Sequence, residues 1–415
     1  MTTVSRAAPA QTLTAAPFGR TMLAFTLAAL LVSGQIYVVI PLLPDMAATW
    51  RGDPGSLTWL VTAFGAGYGV GFLLFGPLSD RLGRRRLLLA GLPVAAAGTA
   101  LVALSPSPEL ALVLRAVQGV AVATFPPAAL AYVAERVEPR RRVVAISAVT
   151  GAFLVSAVLL QIAAQVLVDV IGWRGLFALS AAGLVAAWLG LRAVMLPDGP
   201  AGSAGTPRPS GAGGSSRAER SSGAVVWKEL PAAYRTVPAL LRDGALLLRY
   251  AATVVLMAGF VALYTGLQLH GVTASSGELL ALRAAGLPAM ITVPLLMGRL
   301  GRVAAPARAV AMLAAGALVL AATALTGAAG MGLVLLLAAY AATVTGGLPS
   351  LNEAVSGRAG QARGTALALF SFSLAVGAGV GSQVAAAFGG FTALLYGLAA
   401  LMGVAALAVL ASTRR

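Results

Sequence analysis

The sequence predicts an all-α integral membrane protein, with twelve transmembrane helices in two pseudo-symmetric six-helix bundles around a central cavity. Composition, twelve long apolar runs and one polar segment in mid-chain predict this fold class. Of the 415 residues, 59% are hydrophobic and 10% are charged, whereas a soluble domain is roughly 25% charged. The net charge of +16 comes from arginines between the apolar runs, where they indicate membrane topology and not nucleic-acid binding.

The apolar runs are long enough to span a membrane, since a helix needs about 20 residues to cross the hydrocarbon core. They are continuous and rich in Ala and Leu, which predicts helices and excludes a barrel of alternating strands. The first run is too long for the apolar core of a signal peptide, so we expect it to remain as an anchor. Spans 1 to 12 are predicted at residues 21–44, 57–79, 86–105, 109–134, 143–169, 174–195, 248–270, 277–297, 307–327, 330–354, 364–387 and 390–411.

The arginines predict the orientation of these spans. The loops on one side of the membrane hold only two of these arginines, Arg51 and Arg174. Because cytoplasmic loops carry an excess of basic residues, the other set of loops and both termini are predicted to be cytoplasmic, in a multi-pass protein of the cell membrane. That other set holds Arg6, Arg20, Arg81, Arg84, Arg85, Arg86, Arg136, Arg140, Arg141, Arg142, Arg299, Arg302, Arg308, Arg358, Arg363, Arg414 and Arg415.

The chain divides at its centre. Residues 197–226 are rich in Gly, Pro, Ser and Ala, which is typical of a flexible linker, and residues 225–244 could form a short interfacial helix. The predicted domains are therefore a first bundle (1–196), a cytoplasmic linker (197–246) and a second bundle (247–415). An offset of 223 residues aligns Pro126 with Pro349 and Arg140 with Arg363, which indicates a duplication of the kind found in alternating-access carriers.

Several kinds of chemistry are excluded by composition. Cysteine is absent and there is one histidine, so we expect no disulfide framework and no metal site. The single lysine, Lys228, does not belong to a phosphate-binding loop, which argues against a nucleotide-driven pump and against any bound cofactor. No clustered acid or nucleophile with a base occurs in the spans, so we expect no enzyme and no catalytic residue.

Two glycine patterns lie inside apolar spans. They are GAGYGVG (65–71) and GAGVG (377–381), and neither has the strand and acidic partner of a dinucleotide-binding fingerprint. Pairs four residues apart, such as Gly67 with Gly71 and Gly377 with Gly381, instead predict close helix packing.

Four motifs carry a family resemblance. GPLSDRLGRRR (76–86) resembles the signature between spans 2 and 3 of the major facilitator superfamily. LRAVQG (114–119) is similar to the fourth-span signature of its proton-coupled exporters, and GWRGLF (172–177) and QARGTALAL (361–369) resemble the usual starts of spans 6 and 11.

The resemblance covers nearly the whole chain and extends to the twelve-span drug and metabolite exporters. It implies a monomeric secondary transporter that exports a small amphipathic molecule, a drug or metabolite, by proton antiport, with multidrug resistance as a consequence. That branch usually carries Gly-Pro and Gly-Gly in span 5, where this chain reads GAFLVSAVLLQ (151–161). Uniport or uptake therefore remains the alternative, and a transport-inactive receptor is a more distant one.

Arginines inside spans are the strongest functional signal, because each costs at least about 2.5–3.5 kcal/mol to insert. Arg115 lies about two turns into span 4, with Gln118 one turn further on. It is interpreted either as a fixed charge facing the cavity or as a tie between helices. Arg283 in span 8 has equal alternatives, a functional charge or a side chain that reaches the membrane surface past Glu278.

Substrate contacts and proton coupling need further polar residues. A mostly apolar cavity with a few amides and one arginine favours amphipathic or weakly acidic molecules. Asp45 is the first candidate for a proton site, with an ordinary loop carboxylate as the alternative. His270, at the end of span 7, is the second, with a solvated histidine at the membrane surface as the alternative. The predicted substrate-binding and coupling set, each member of which could instead bridge helices, is Arg115, Gln118, Gln35, Tyr37, Gln161, Gln165, Tyr264, Gln268, Gln383 and Asp45.

The motif between spans 2 and 3 also implies a gate. By resemblance, Asp80 would sit beside the positive N-terminal end of span 11 near Gly364, and Arg84 would pair with an acid such as Glu135. These contacts would hold the cytoplasmic side shut in one state and part in the other. The arginines alone could equally be topology signals. The predicted gating set is Gly76, Asp80, Arg81, Gly83, Arg84, Arg85, Glu135 and Gly364.

Overall fold

The computed structural model describes residues 16–197, 235–273, 275–297 and 302–414, with the backbone alone at Asp80 and Met297. Throughout these residues the regular structure is helical and contains no strand. Most of the predicted linker lies outside the described residues, so its proposed flexibility and the domain boundaries stay predictions.

The helices follow the predicted spans closely. They are α1 (Phe18–Gly34), α2 (Leu43–Trp50), α3 (Trp59–Leu82), α4 (Arg84–Ala103), α5 (Pro108–Val122), α6 (Phe125–Arg136), α7 (Pro139–Val194), α8 (Val237–Arg242), α9 (Gly244–Leu269), α10 (Ser276–Ala284), α11 (Leu287–Met297), α12 (Ala305–Thr326), α13 (Gly330–Arg358), α14 (Arg363–Ala387) and α15 (Phe391–Ser412). Short 3₁₀ turns cover Ile40–Leu42, Ser56–Thr58 and Gly360–Ala362. Helix α8 falls where the sequence predicts a short interfacial helix.

The span count is consistent with twelve. In the described part of the chain, ten helical segments are long and apolar enough to cross a membrane. One of them, α7, contains two spans, because Gly172 has a φ of 66° and interrupts the helix. A glycine tolerates that left-handed conformation without the steric cost of a Cβ. Helix α1, which is apolar but only 17 residues long, adds the remaining span.

Three spans predicted as continuous helices are interrupted near their middle. Span 1 leaves the helix at residues 35–39, span 4 at residues 123–124 and span 8 at residues 285–286. A proline follows each break two residues later, at Pro41, Pro126 and Pro288. Proline has no N–H to donate, and its ring clashes with the preceding turn. Broken helices are tolerated at membrane depth where they face protein or a cavity.

The spans form two six-helix bundles in which small residues bring helices together. In the first bundle α1 packs on α7 and α3 on α5, and in the second α9 packs on α14 and α12 on α15. A Cβ built on Gly377 would lie 2.5 Å from the carbonyl oxygen of Val254, and one on Gly381 equally close to that of Ala258. The predicted close packing at the glycine patterns is therefore confirmed.

A repeated ion pair supports the internal duplication. Arg84, at the start of span 3, lies 3.0 Å from Glu135 at the end of span 4. Arg308, at the start of span 9, pairs in the same way with Glu353 near the end of span 10. Each bundle thus joins its third and fourth spans at the same end of the molecule, which we call the arginine-rich end. The other end of the molecule, which holds Arg51 and Arg174, is called the opposite end.

The bundles meet along two large contacts and a smaller one, where span 7 approaches the 3₁₀ turn of span 1. Helix α3 packs on α14, which joins spans 2 and 11, and α7 packs on α10 and α11, which joins spans 5 and 8. These two contacts enclose the space in which the candidate site lies.

Candidate functional site

A cavity lies between the two bundles. Its volume is about 40 Å³, well below the roughly 300–1,000 Å³ of small-molecule sites, so a ligand requires the bundles to move apart at this wall. Its wall is mostly apolar, and the tyrosine hydroxyl and one threonine are its polar side chains. The lining residues, from spans 1, 5, 7, 8 and 10, are Tyr37, Phe153, Leu154, Ala157, Met257, Phe260, Met290, Val344, Thr345 and Leu348.

Tyr37 reaches the cavity from the broken part of span 1. The residues after Gly34 form turns, and the backbone N–H groups of Tyr37 and Val38 both donate to the carbonyl of Gly34. The Tyr37 ring meets the ring of Phe260 edge-on, with centroids 6.5 Å apart. Because Phe260 belongs to span 7, this aromatic pair joins the bundles at the cavity wall.

A second recess, of about 370 Å³, lies between spans 3 and 6 of the first bundle. Pro93, Ala97, Ala181 and Trp188 are among its apolar lining residues. All of its walls belong to one bundle, so movement of one bundle against the other would not open or close it. The cavity between the bundles is therefore the better candidate for a transport site.

Arg115 is buried within the first bundle. Its Nη1 donates to the carbonyl oxygen of Gln35 at 3.0 Å and to Oε1 of Gln118 at 2.7 Å, and its Nε donates to the carbonyl of Leu60 at 3.3 Å. The guanidinium also lies 4.3 Å from the ring centroid of Phe64. None of these residues lines the cavity. The geometry favours the interpretation of Arg115 as a tie between helices over a charge facing the cavity.

Gln118 and Gln35 complete this tie. Gln118 Nε2 donates to Oγ1 of Thr99 at 2.6 Å and to Oε1 of Gln35 at 3.2 Å. Spans 1, 2, 3 and 4 are thereby joined around one buried cation. The break in span 1 contributes, because the carbonyl of Gln35 lies beyond the helix and can accept from Arg115.

Arg283 occupies a different position, between the bundles. Its side chain is 0% exposed, its Nη1 donates to Oε1 of Gln161 at 2.6 Å, and its Nη2 donates to Oε1 of Gln268. The hydroxyl of Tyr264 donates to the carbonyl oxygen of Arg283 at 3.4 Å. Gln161 belongs to span 5 and the others to spans 7 and 8, so this group, which we call the Arg283 cluster, bridges the two bundles.

The sequence did not select Arg283 as a site residue, because it leaves open whether the side chain reaches the surface past Glu278. In the structure Glu278 instead accepts a hydrogen bond from Thr273 at 2.5 Å. Position within span 8 was the available signal. The choice between the two interpretations depends on which neighbours face Arg283.

Hydrogen bonds between the bundles also occur at the opposite end. Gln383 Nε2 donates to the hydroxyls of Thr58 at 3.1 Å and Thr62 at 3.0 Å, and Ser382 donates to the carbonyl of Thr58 at 3.2 Å. Thr62 in turn donates to the carbonyl of Gly379 at 2.8 Å. We call this contact between spans 2 and 11 the polar seam.

Spans 5 and 8 are joined at the same end, where Gln165 donates to the carbonyl of Ser276 at 2.9 Å. Three predicted substrate residues, Gln161, Gln165 and Gln383, thus bridge helices across the bundle interface. No pattern in the sequence indicated Thr58, Thr62 and Ser382 as partners, since such hydroxyls usually bond to carbonyls of their own helix.

The arginine-rich end contains the predicted gating set. Arg84 donates from Nη1 to Ser79 at 3.1 Å and from Nη2 to Glu135 at 3.0 Å, and Arg85 donates to the carbonyl of Met195 at 3.3 Å. The pairing of Arg84 with Glu135 is present, but both residues belong to the first bundle. This pair therefore fastens the turn between α3 and α4 to α6, and it does not itself hold the two bundles together.

The remaining gating residues surround this pair. Gly83, with a φ of 91°, forms the turn between α3 and α4, and Arg81 is half-buried beside it. A Cβ built on Gly76 or on Gly364 would have no neighbouring atom within 4 Å, and Gly364 is exposed. The side chain of Asp80 lies outside the described part of the chain, so its contact with span 11 stays a prediction.

The candidate proton sites lie toward the opposite end. Asp45 is exposed in the first turn of α2. Partial burial, together with the negative charge of Asp169, raises the pKa of the Asp45 carboxyl above its ordinary value. His270, at the end of α9, lies 3.2 Å from the carbonyl oxygen of Ala385. Neither residue lines the cavity.

Some known proteins resemble part of this chain in sequence, and another resembles it in fold. Chloramphenicol resistance protein CraA of Acinetobacter baumannii is 30% identical over 181 residues, which cover 42% of this chain and 44% of that protein. The lincomycin resistance protein of Streptomyces lincolnensis is 31% identical over 150 residues, covering 36% and 31%. The MFS-type transporter YwfA of Bacillus subtilis is 34% identical over 115 residues, covering 28% of each. The chain thus matches less than half the length of each of these relatives.

A crystal structure of a mutant of the nucleoside transporter NupG aligns with 94% of this chain and 99% of its own, with a TM-score of 0.68 and 15% identity. At that identity the likeness concerns the fold alone. The profile of the Major Facilitator Superfamily matches residues 25–382. With two helical bundles around a cavity and a family match over most of its length, this chain belongs to the Major Facilitator Superfamily.

Proposed function

We propose that this protein is a secondary active transporter that exports a small amphipathic molecule, a drug or metabolite, by alternating access in exchange for protons. The observation that carries the proposal is the central cavity, whose wall is shared between two bundles. Because the walls belong to two bodies, rocking one against the other transfers access from one side to the other. The names of two relatives, which refer to resistance to chloramphenicol and to lincomycin, favour export of drug-like molecules.

The distribution of arginine supports a cytoplasmic location for the arginine-rich end and for both termini. With that orientation in the cell membrane, the polar seam closes the outer side in the present conformation. The protein would act as a monomer within the lipid bilayer.

The gating set at the arginine-rich end would close the cytoplasmic side in the outward-facing state. In this proposal Asp80 contacts the start of span 11 near Gly364, while Arg84 and Glu135 fix the turn that carries Asp80. A Cβ built on Gly76 or Gly364 would meet no atom within 4 Å, so both positions have room for a partner in the closed state. Gly83, Arg81 and Arg85 would shape the turn and supply its positive charge.

Asp45 is the proposed proton site. Its raised pKa brings its protonation closer to neutral pH than that of an ordinary aspartate. The alternatives are an ordinary loop carboxylate at Asp45 and, for the whole protein, uniport or uptake without proton coupling. A transport-inactive receptor would bind in the cavity without moving its ligand.

The test is transport by the purified protein in liposomes with an imposed pH gradient, using chloramphenicol, lincomycin and a panel of amphipathic compounds. We expect compound flux that follows the gradient and stops when a protonophore dissipates it. Flux indifferent to the gradient would replace antiport by uniport. Binding without flux of any compound or proton would favour the receptor.

A second measurement examines Asp45. The Asp45→Asn protein should lose gradient-driven flux while it still exchanges labelled for unlabelled substrate, because exchange needs no net proton movement. Unchanged gradient-driven flux would remove Asp45 as the proton site.

A further inference from the structure

We propose that the Arg283 cluster is an anion-binding subsite at the edge of the central cavity, so that the substrate carries an anionic group on its apolar body. The transport meaning of this inference rests on the proposed function. Anion binding at Arg283 does not depend on transport and is tested separately.

The first argument is the lack of a counter-ion. The two hydrogen-bond acceptors of the Arg283 guanidinium, Gln161 and Gln268, are neutral amides, and its Nε has no partner. No described carboxylate forms an ion pair with it. A fully buried cation without an anion is costly, and an anionic ligand that reached the guanidinium would offset that cost.

The second argument is the position between the bundles. Two other buried arginines with neutral partners are confined to one bundle. Arg115 bonds within the first bundle, and Arg249 bonds to Ser412 and to the carbonyl of Ala354 in the second. Of these three arginines, only Arg283 donates a hydrogen bond across the interface between the bundles, to Gln161. Its surroundings must therefore change whenever the bundles move, as a substrate subsite requires.

The third argument is the distance from the cavity. Ala157 lines the cavity and Gln161 follows it on α7, one helical turn or about 6 Å along the axis. On α9 the ring of Phe260, also in the wall, lies 4.9 Å from the ring of Tyr264, which donates to Arg283. The apolar part of a ligand that lies against this wall is thus within one helical turn of the Arg283 cluster.

The break in span 8 places the Arg283 backbone at the same point. The helix stops at Ala284 and restarts at Leu287, so the chain is irregular directly after Arg283. Interrupted spans near the midplane are the usual location of binding sites in secondary transporters.

Binding of an anion would exchange one acceptor of the Arg283 guanidinium for another. An anionic oxygen replaces the amide oxygen of Gln161 or Gln268 on the guanidinium. Hydrogen bonds to an ionised acceptor are roughly twice as strong as those to a neutral one, and a guanidinium can bind two oxygens of one group side by side. A sulfonate or carboxylate on an aromatic body therefore matches the chemistry of both parts, the anionic group that of the guanidinium and the aromatic body that of the apolar wall.

The probe pair is 2-naphthalenesulfonate and 2-naphthalenesulfonamide, which share an apolar body and differ in charge. Binding to the full-length protein in detergent is measured by calorimetry at neutral pH. We expect the sulfonate to bind at least about tenfold more tightly than the sulfonamide. In Arg283→Gln this preference should disappear, and Arg283→Lys should keep part of it. Arg249→Gln, which removes another buried arginine of the same bundle, is the matched control and should keep the full preference.

Gln161→Glu supplies a second test that does not rely on removing the arginine. The new carboxylate would pair with Arg283 and occupy the subsite from within. We expect this variant to lose the preference for sulfonate and to unfold at a higher temperature than the original protein. If Arg283 were purely structural, Gln161→Glu would still stabilise the protein, but the original protein would show no preference for the sulfonate that the variant could lose.

The outcomes separate this inference from the proposed function. Equal affinity for the two probes in the original protein, or a preference that survives in Gln161→Glu, would overturn the subsite. If sulfonate binding depends on Arg283 but no flux of any compound occurs in liposomes, the subsite stands and the transporter proposal fails. If other compounds are transported but the sulfonate is not preferred over the sulfonamide, the transporter proposal stands and the anion-binding subsite fails.

Discussion

Replacing Gly65 by alanine should open the polar seam. Gly65 on span 2 faces span 11 so closely that a Cβ would lie 2.8 Å from the Cα of Gly379 and 2.9 Å from the carbonyl oxygen of Ala375. Both are backbone atoms, which cannot rotate away as a side chain would. Relief therefore requires the two bundles to separate at this end.

The size of the effect follows from the overlap. Overpacking of a closely packed interface by one carbon costs about 1–3 kcal/mol. If the cost falls on the closed seam alone, the ratio of open to closed seam rises about 5- to 150-fold. Gly403→Ala is the matched control, because a Cβ there would meet nothing within 4 Å.

The absence of cysteine in the chain allows accessibility to be measured with single-cysteine reporters. Ser382→Cys reports on the seam, where Ser382 is 0% exposed, and Gly364→Cys reports on the arginine-rich end. With a membrane-impermeant maleimide, Gly65→Ala should raise the labelling rate of the first reporter at least about fivefold. It should lower that of the second, if the two ends open alternately.

Equal labelling of Ser382→Cys with and without Gly65→Ala would refute this reasoning, because the seam would then have absorbed the methyl group without parting. A rise at both reporters would instead indicate general loosening of the protein. The Gly403→Ala background should leave both rates unchanged.

Three further predictions concern the buried and surface charges. Arg115→Gln should lower the unfolding temperature of the detergent-solubilised protein. The free energy of unfolding should fall by about 2 kcal/mol or more, because hydrogen bonds from a charged donor are worth about 1.5–3 kcal/mol each. An unchanged unfolding temperature would mean that Arg115 does not tie the helices together. A double-mutant cycle with Arg84→Ala and Glu135→Ala should give a coupling of about 0.2–1 kcal/mol, because the Glu135 side chain is 37% exposed; a coupling several times larger would contradict a local, solvent-screened pair. Arg358 donates a hydrogen bond of 2.7 Å to Asp243, which lowers the pKa of the Asp243 carboxyl. The stability that this carboxylate contributes is therefore present above its ordinary pKa of 3.8 and is lost as the pH falls through the lowered pKa. The unfolding temperature of the original protein should therefore exceed that of Asp243→Asn at pH 7, and the difference should shrink below about pH 4; a difference independent of pH would exclude this origin.

The positions of the spans could be predicted from the order of residues. Hydrocarbon thickness requires about 20 apolar residues per helix, so the helices lie within a few residues of their predicted ranges. The same holds for glycine-mediated packing, which depends on spacing within one helix. The breaks in spans 1, 4 and 8 were not predicted, although a proline follows each.

The partners of the polar residues could not be obtained in this way. Gln161 and Arg283 are 122 positions apart in the chain, and Thr62 and Gln383 are 321 apart. Hydropathy shows that a helix is buried in the membrane, but it does not show how the helix is rotated about its axis or which neighbour it faces. That rotation separates Arg115, tied inside one bundle, from Arg283, which lies between two. It arises from the packing of whole helices against each other, and so it exists only in the folded molecule.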